Sequence, residues 1–271
     1  MNKQTGSSKN PFDQQSPLEG IKHIIAIGSG KGGVGKSTVA VNLAMALSKY
    51  PNRVGLLDAD LYGPSLPRMI GCLHQKPGIN PKNKKVIPLK RFGIELMSMG
   101  FLVEEDLPVI WRGPMLFKAV DQFLKEVNWG ALDYLVVDLP PGTGDVVLTL
   151  AQKVPVSGGI VVCTPQNIAL VDAKKALNMF AHLKIPCLGV VENMSSFKAK
   201  AGDPPISLFP RGQLDTYLKA NKIKKLSSIP FHPDVGLSCE SGVPFLESYP
   251  DSEEGLAFSK LAEVVQSELK V

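Results

Sequence analysis

Residues 28–38 read GSGKGGVGKST and place two lysines in a glycine-rich setting. Gly30, Gly35, Lys36 and Ser37 fit the G-x-x-x-x-G-K-[ST] pattern of a phosphate-binding loop. Glycines let the backbone turn so tightly that successive N–H groups point inward, and a following helix adds the positive end of its dipole. The residue types and their spacing therefore predict that this loop binds the phosphates of a nucleotide.

The polar side chains of the loop have separate predicted roles. Lys36 is expected to reach the β- and γ-phosphates, Ser37 to ligate Mg²⁺, and Thr38 to make a further phosphate contact. A purely structural glycine-rich turn is the alternative, but an apolar run precedes the loop and a helical pattern follows it, as a phosphate-binding loop requires. The predicted nucleotide-binding residues of the loop are Gly30, Lys31, Gly32, Gly33, Val34, Gly35, Lys36, Ser37 and Thr38.

Carboxylates that follow two further apolar runs complete the predicted site. The run LLDAD supplies Asp58 and Asp60, and the run YLVVD supplies Asp138. Carboxylates at the end of a strand can hold Mg²⁺ or orient the water that attacks a γ-phosphate. We therefore expect Asp138 to lie near Mg²⁺ and Asp60 to activate the water. Asp58 fits either a metal-site role or a turn or cap role.

Apolar runs alternate with helical patterns along the chain and predict an α/β fold. The near-continuous Val, Ile and Leu runs are typical of a sheet that is covered on both faces. The alternation predicts a doubly wound, mostly parallel sheet with helices on both faces and with ligands beyond the carboxyl ends of its strands. We predict strands at 21–27, 54–57, 94–97, 134–137, 159–163, 188–191 and 225–229. We predict helices at 37–49, 115–127, 145–154, 168–183, 211–220 and 254–269.

Composition and hydropathy set the expected organisation and location. Residues 1–20 are polar and are predicted to be a flexible extension, and residues 21–271 are predicted to be one ATPase domain. No run approaches the ~18 apolar residues that a membrane-spanning helix needs, and the N-terminus does not resemble a signal peptide. We therefore expect a cytoplasmic protein without a membrane partner. The balanced charges of the last helix indicate a helix that packs on the core.

The formal net charge of +5 arises largely from one segment, at residues 76–91. A basic segment can bind nucleic acid or an acidic partner, and a solvated surface loop or hairpin is the alternative. Its lysines are not interleaved with aromatic residues before Phe92, so we do not expect DNA as a partner. The basic residues of the segment are Lys76, Lys82, Lys84, Lys85, Lys90 and Arg91.

These motifs resemble those of the deviant-Walker-A ATPases, the group that includes ParA, MinD and the nitrogenase iron protein. Within that group the chain is similar to the Mrp-type iron–sulfur cluster carriers over residues 21–271. The segments that carry the resemblance are DADLYGPSLPRM, VIWRGPMLFKAVDQFL, LDYLVVDLPPGTGD, LTLAQKVPVSGG and VVENMS. The resemblance implies a P-loop NTPase that binds and slowly hydrolyses ATP with Mg²⁺.

The resemblance also implies roles at matching positions of this chain. Lys31 matches the signature lysine that reaches across a homodimer to the nucleotide of the other subunit, and with Lys36 and Asp60 it forms the implied catalytic set. Ser37 and Asp138 match the Mg²⁺ residues. Asn193 matches the asparagine that recognises adenine. Iron–sulfur assembly or acceptor proteins are the implied further partners.

The sequence departs from the implied family pattern at its cysteines. Typical carriers place a C-x-x-C pair after the ENMS segment, and two subunits then share one [4Fe–4S] cluster through four thiolates. Residues 197–203 of this chain contain no cysteine, and the four cysteines of the chain form no C-x-x-C pair. Cys163 and Cys187 are predicted to be buried in strands, and Cys239 lies in a loop-like context. Cluster carriage is therefore implied by the resemblance but has no thiolate pair to support it.

Three functions are consistent with these residues. The first is a homodimeric ATPase that acts in iron–sulfur cluster assembly or carriage. The second is a cluster-free, ATP-dependent scaffold or positioning ATPase that acts through protein partners. The third is a P-loop kinase for a small metabolite, which explains Lys36 but leaves Lys31 and the family-like segments unexplained.

Overall fold

The computed structural model of the chain describes residues 15–60, 63–101, 113–142, 144–200 and 202–269. Side chains are described from residue 117 onward in the third of these ranges. Most of the predicted N-terminal extension, the start of the VIWRGP segment and Thr143 of the PPGTGD segment lie outside the described residues. Residues 15–20 contact the domain, and the Ser16 N–H donates to the Lys153 carbonyl at 2.9 Å. The predicted division at residue 20 stays a prediction.

The strands of the fold are mostly short, apolar and buried. Ten strands are described, in chain order β1 (Ile21–Gly28), β2 (Val54–Asp58), β3 (Gly78–Ile79), β4 (Val86–Ile87), β5 (Leu89–Arg91), β6 (Ile94–Ser98), β7 (Leu132–Asp138), β8 (Gly158–Cys163), β9 (Cys187–Phe197) and β10 (Lys225–Phe231).

Helices connect most of these strands. They are, in chain order, α1 (Lys36–Ser48), α2 (Leu66–Met69), α3 (Gly113–Lys125), α4 (Asp145–Lys153), α5 (Asn167–His182), α6 (Leu214–Ala220), α7 (Pro233–Ser241), α8 (Phe245–Ser248) and α9 (Glu253–Leu269). A 3₁₀ turn spans Met99–Phe101.

Eight strands form one sheet in the order β10-β9-β8-β1-β7-β2-β6-β5, and all neighbours are parallel except β5 and β6. The strand order reverses around β1, so its carboxyl end lies at a crevice between neighbouring crossovers. In register, Ile27 of β1 pairs with Asp138 of β7, which pairs in turn with Asp58 of β2. The end of β1 and both carboxylates therefore meet at one edge of the sheet.

The predicted fold class is confirmed. Each predicted strand and helix is present, with bounds that shift by a few residues. Buried Val, Ile and Leu side chains on both faces of the central strands form one continuous core. The helix α9 packs on α1 and β10 through Phe258, Leu261 and Val265, as its balanced charges indicated.

Several short elements were not predicted. The basic segment contains β3 and β4, which pair as a small antiparallel hairpin beside the main sheet, in agreement with the surface-hairpin alternative. The helix α7 begins at Pro233, directly after His232, whose Nδ1 accepts a hydrogen bond from the Asp234 N–H at 3.2 Å. A proline at the first helical position is a helix-start signal that could have revealed α7.

Candidate functional site

The loop between β1 and α1 forms a tight turn at the centre of the sheet edge. Gly35 has a φ of 81°, a left-handed conformation that disfavours other residues. A Cβ at Gly30 would collide with the backbone of Asp172 in α5, and a Cβ at Gly35 would collide with the amide of Asn193. Both glycines are therefore required by close approaches, and the loop leads directly into the N-terminus of α1, where a phosphate is favoured.

Lys36 is the most enclosed charged side chain of the loop. Its Nζ lies 2.6 Å from Asp138 Oδ1, 3.9 Å from Asp60 Oδ2 and 3.3 Å from the Ser37 hydroxyl oxygen. Lys36 is only 6% exposed and Asp138 is fully buried, so this ion pair is held away from bulk water. Phosphate oxygens that reach Lys36 would compete with Asp138 for the same ammonium group.

Asp138 combines an ion-paired oxygen with a free one. Its Oδ1 accepts from Lys36, whereas its Oδ2 is buried and has no hydrogen-bond partner within the described part of the chain. Burial raises the pKa of Asp138, and the Lys36 ammonium opposes that rise. An unpartnered carboxylate oxygen beside the Ser37 hydroxyl is a donor set that suits Mg²⁺, which prefers oxygen ligands.

Asp58 organises the loop that follows β2. Its Oδ1 accepts from the Asp60 N–H at 3.1 Å, and its Oδ2 accepts from the Leu66 N–H at 3.2 Å and the Ser98 hydroxyl at 2.9 Å. Because Leu66 begins α2, Asp58 caps a helix as well as a turn. Burial, followed by the nearby charge of Asp138, raises the pKa of Asp58 to about 7.

The loop that follows β7 is tied to the phosphate-binding loop through its backbone. The Gly142 N–H donates to the Ser29 carbonyl at 2.9 Å, and the Leu139 N–H donates to the Ile27 carbonyl at 3.0 Å. Ser29 in turn donates its hydroxyl to the Lys31 carbonyl at 2.9 Å. A displacement at the phosphates can therefore pass directly to the loop that precedes α4.

Asn193 lies against the phosphate-binding loop. Its Nδ2 donates to the Val34 carbonyl at 2.9 Å, and the residue is buried. The next residue, Met194, has a φ of 55°, and the pairing of β9 with β10 shifts register between Asn193 and Phe197. The left-handed residue and the register shift form a local irregularity of β9 beside the loop.

Helices α2 and α7 supply a wall that the sequence did not reveal. They enclose, with the loop, a cavity of about 320 Å³ beside Lys31, Lys36 and Ser37. Thr38 Oγ1 lies 3.7 Å from the sulfur of Cys239, which belongs to α7, so the expectation of a loop cysteine is wrong. The lining residues that sequence reasoning missed are Ser65, Arg68, Met69 and Glu240.

Most of the predicted site residues line one cavity, but Lys31 differs from the others in its contacts. Lys36, Ser37, Asp60 and Asp138 lie together at the sheet edge, and Asn193 contacts the loop from β9. Lys31 is half-buried and makes no ion pair with any residue that the structure describes. Its ammonium group is therefore not held by a carboxylate of its own described chain.

The cysteines lie at separate places in the fold. Cys72 and Cys163 are buried, Cys239 is half-buried, and Cys187 is exposed. The expectation that Cys187 is buried is therefore wrong, because it is the first residue of β9 and precedes the apolar part of the strand. Across the described ranges, His, Cys, Asp and Glu side chains form no group of three or more that could hold a metal ion.

The segment that follows β9 turns back on itself. The backbone of Phe197 exchanges both hydrogen bonds with Ile206, at 2.9 and 2.8 Å. Within this turn the Asp203 N–H donates to the Lys200 carbonyl at 3.1 Å. A surface turn therefore occupies the place where the family resemblance implies a cysteine pair.

Among the helices that the structure describes, none is long and apolar enough to cross a membrane.

Comparison with known proteins agrees with this geometry. A family model described as a NUBPL iron-transfer P-loop NTPase of the ParA group matches residues 20–266. The chain is 48% identical over 259 residues to an iron-sulfur cluster carrier protein of Aquifex aeolicus, which covers 95% of this chain and 71% of that relative. It is 44% identical to the iron-sulfur cluster transfer protein NUBPL of Mus musculus, with 95% and 81% of the two chains covered.

Solved structures show the same fold. A nucleotide-binding protein of Archaeoglobus fulgidus in complex with ADP superposes with a TM-score of 0.76 at 35% identity, covering 92% of this chain and 96% of that one. The cell division ATPase MinD of Pyrococcus furiosus superposes with a TM-score of 0.66 at 22% identity, covering 90% and 98%. Its agreement concerns the fold alone. The chain belongs to the Mrp/NUBPL family of iron-transfer P-loop NTPases, within the ParA group.

Proposed function

We propose that this protein binds and slowly hydrolyses ATP as a homodimer and acts in iron–sulfur cluster assembly or carriage. The observation that carries the ATPase part is the buried Lys36–Asp138 ion pair, with the Ser37 hydroxyl beside it, at the end of a glycine-rich loop. The family to which the chain belongs, and the names of its carrier relatives, support the cluster part. We further propose a cytoplasmic location, with residues 21–271 as the ATPase domain.

The loop residues would hold the nucleotide through charge and backbone N–H groups. The backbone between Gly30 and Thr38 would surround the phosphates, and the Lys36 ammonium would bind the β- and γ-phosphates in exchange for Asp138. Asn193, which contacts Val34 of the loop, would also face the adenine. The side chains of Ser37 and Asp138 would hold Mg²⁺, which neutralises phosphate charge when it is bound.

Hydrolysis would place a water between the γ-phosphate and Asp60. The Asp60 carboxylate would accept a proton as the water oxygen bonds to the γ-phosphorus, and the bond to the β,γ-bridging oxygen would break to release ADP and phosphate. Lys31 of the partner subunit would stabilise charge that develops on the transferred phosphoryl group. Its lack of an ion pair to the described residues of its own chain is consistent with that role.

A Lys31→Ala variant tests the dimeric mechanism. We expect hydrolysis to fall by about 10²-fold or more while the affinity for ATP changes little, because the lysine would act on the nucleotide of the other subunit. Lys219→Ala, which removes an exposed lysine on α6, is the matched control. Unchanged hydrolysis in Lys31→Ala would contradict the trans-acting role. Consumption of ATP that depends on an added small acceptor would instead favour a kinase.

A cluster-free scaffold is the second candidate function. The dispersed cysteines, and the lack of a C-x-x-C pair after β9, favour it. Anaerobic reconstitution with iron and sulfide separates the two candidates. A stoichiometric cluster that survives desalting and transfers to an apo-protein would support carriage, and Cys239→Ser would then test the ligand. Retention of ATP binding without iron would favour the scaffold.

A further inference from the structure

Positive charge is concentrated in one segment of the chain. Between Asp60 and Glu95 the sequence contains seven Lys and Arg and no Asp or Glu, whereas the rest of the chain has 23 Lys and Arg against 25 Asp and Glu. The β3–β4 hairpin and its flanks carry most of these cations. Such an asymmetry creates a local positive potential that attracts acidic partners.

Lys76, Lys82 and Lys84 are exposed, and Lys85 is half-buried. Across the described ranges, no ion pair involves Lys76, Lys82, Lys84 or Lys85, although Lys90 pairs with Glu95 at 3.2 Å. Lysines elsewhere are often paired, for example Lys125 with Asp121 and Lys22 with Asp133. The unpaired lysines are therefore a property of this hairpin and not of the whole surface.

The turn of the hairpin presents its lysines on a defined backbone. The Lys84 N–H donates to the Asn80 carbonyl at 2.9 Å, and the Asn80 N–H donates to the Lys85 carbonyl at 2.8 Å. Side-chain oxygens of Asn80 and Asn83 accept from the N–H groups of Lys82 and Lys85, each at 3.0 Å. A preorganised turn loses less conformational entropy when a partner binds to it.

The hairpin is also anchored to the domain. The Val86 N–H donates to the Glu126 carbonyl, and the Asn128 N–H donates to the Val86 carbonyl, both at 2.8 Å. Val86 itself packs on the core. The hairpin therefore forms a fixed projection beside the chain that follows α3.

Two isoleucines of this projection face solvent. Ile79 is 66% exposed and Ile87 is 42% exposed. They lie on opposite faces of the ribbon, because Ile79 is opposite Val86 and Ile87 is opposite Gly78. Lysines near a sheet edge can simply prevent edge-to-edge aggregation, which accounts for Lys90 on β5. That explanation does not account for exposed isoleucines beside the lysines.

We propose that the β3–β4 hairpin docks an acidic segment of another protein, one that carries apolar side chains between its carboxylates. The lysines match the carboxylates, and Ile79, the more exposed isoleucine, matches the apolar side chains. Single-stranded nucleic acid fits less well, because it binds through aromatic side chains and residues 76–91 contain none. This surface is independent of the proposed ATPase and cluster functions.

Fluorescence anisotropy with labelled peptides tests the proposal. The first probe is a peptide of four Glu-Glu-Leu repeats, and the second replaces each Leu by Ser. We expect the Leu peptide to bind about threefold or more tightly than the Ser peptide, and binding to weaken as salt screens the lysines. In the combined Lys82→Gln, Lys84→Gly and Lys85→Gln variant the affinity should fall about tenfold. Ile79→Ser should remove the preference for the Leu peptide.

The chain offers a matched control for the charge effect. Lys84 and Lys222 are both exposed lysines with positive φ, at 59° and 54°. Replacement of either by Gly removes one charge and relieves the same backbone strain, so the thermal unfolding temperature should be unchanged or higher in both. Only Lys84→Gly should weaken peptide binding, by about threefold. Equal loss in both variants would overturn the proposal.

Three further outcomes would contradict the proposed partner. Affinity that is unchanged in the triple variant would exclude the hairpin as the binding surface. Tighter binding of an oligothymidine probe, insensitive to Ile79→Ser, would assign the hairpin to nucleic acid. Salt-sensitive self-association that the triple variant abolishes, without peptide binding, would assign it to a second copy of this chain.

Discussion

The strand β9 has different surroundings at Asn193 and at its last residue, Phe197. At Asn193 the strand contacts a loop in which Lys36 is held by the buried carboxylate of Asp138. At Phe197, four residues later, it enters a surface turn that carries Lys198 and Lys200 and contains no thiol. One strand thus joins the predicted phosphate-binding loop to a position where the implied cluster ligands are missing.

This difference shows that the two halves of the implied activity depend on the fold in different ways. The phosphate-binding side is part of the core, because Lys36 and Asp138 are buried and Gly30 and Gly35 fit against neighbouring chain segments. The turn between Phe197 and Ile206 is held by its own backbone hydrogen bonds, so its side chains can change at little cost to the core. Loss of surface thiols therefore need not affect nucleotide binding.

Lys36→Ala should give the largest effect on the nucleotide side of this comparison. It removes the ammonium that would bind phosphates and leaves the Asp138 carboxylate buried without a partner. We expect the affinity for ATP to fall about 10²-fold or more by isothermal titration calorimetry. The matched control is Lys49→Ala, which alters a lysine at the other end of α1 that donates to the Leu246 carbonyl.

The outcome separates a phosphate role from a structural one. Lys36→Ala should also lower the free energy of unfolding, so circular dichroism must show that the variant is folded at the assay temperature. A folded Lys36→Ala protein that binds ATP as tightly as the native chain would contradict the assignment of this loop. A similar loss in Lys49→Ala would indicate a general effect on α1.

Thiols placed in the surface turn should restore cluster binding on the other side of the comparison. The Asp203 N–H bonds to the Lys200 carbonyl, so the two residues begin and end one turn with C-x-x-C spacing. In the Lys200→Cys, Asp203→Cys double variant, two subunits would present four thiolates. We expect at least about tenfold more iron after reconstitution and desalting than in the native chain.

Ser replacements at the same two positions provide the control. They alter the charge of the turn in the same way but supply no thiolate. Equal amounts of retained iron in the native chain and the Cys variant would show that thiols in this turn do not determine cluster binding. ATP affinity should be unchanged in both variants, because no hydrogen bond or ion pair among the described residues joins the turn to the phosphate-binding loop.

The sequence predicted which residues meet at the sheet edge, because the signals for them are local. The glycine spacing of the loop, the apolar run before Asp138 and the alternation of strands and helices each depend on adjacent residues. The parallel pairing of β1, β7 and β2 then brings their ends together by geometry alone. Lys36, Ser37, Asp60 and Asp138 could therefore be placed in one cluster before the fold was known.

The parts that were missed depend on distant packing. Cys239 reaches Thr38 only because α7 packs near α2 and α1, and nothing in the local sequence indicates that approach. The contact of Asn193 with Val34 likewise joins residues 159 positions apart. Arg68 and Glu240 also line the cavity, and sequence periodicity does not orient helices as short as α2 and α7.

Asn193→Ala tests how β9 communicates with the loop. The variant leaves the buried Val34 carbonyl without its donor, a loss worth about 1–3 kcal/mol. We therefore expect ATP affinity to fall about tenfold. Asn221→Ala is the control, because Asn221 Nδ2 also donates to a backbone carbonyl, that of Tyr217, at an exposed helix end.

The nucleotide base distinguishes two roles of Asn193. If Asn193 only positions the loop, the affinities for ATP and for GTP should fall by the same factor in Asn193→Ala. If it reads adenine as well, the preference for ATP over GTP should decrease. Unchanged affinity for both nucleotides would show that the Asn193–Val34 hydrogen bond does not matter for binding.

The smallest expected effect concerns the pH dependence of stability at Asp58. Its pKa rises from 3.8 to about 7 in the folded protein, because of burial and the charge of Asp138. Between pH 3.8 and about pH 7, Asp58 is protonated in a larger fraction of folded molecules than of unfolded ones. The contribution of Asp58 to the free energy of unfolding therefore decreases as pH rises from about 4 to about 7, and it is constant above that range.

Two substitutions should shift this dependence in opposite directions. Asp138→Asn removes a negative charge that raises the pKa of Asp58, so stability should decrease less between pH 5 and pH 7 in urea unfolding. Ser98→Ala removes the hydroxyl that stabilises the charged form of Asp58, so the decrease should extend to higher pH. Because Ser98→Ala leaves Asp138 in place, a shift in that variant would be due to Asp58. Identical pH profiles in Ser98→Ala and the native chain would show that Asp58 does not titrate in this range, and that its buried carboxylate stays charged through its three hydrogen bonds.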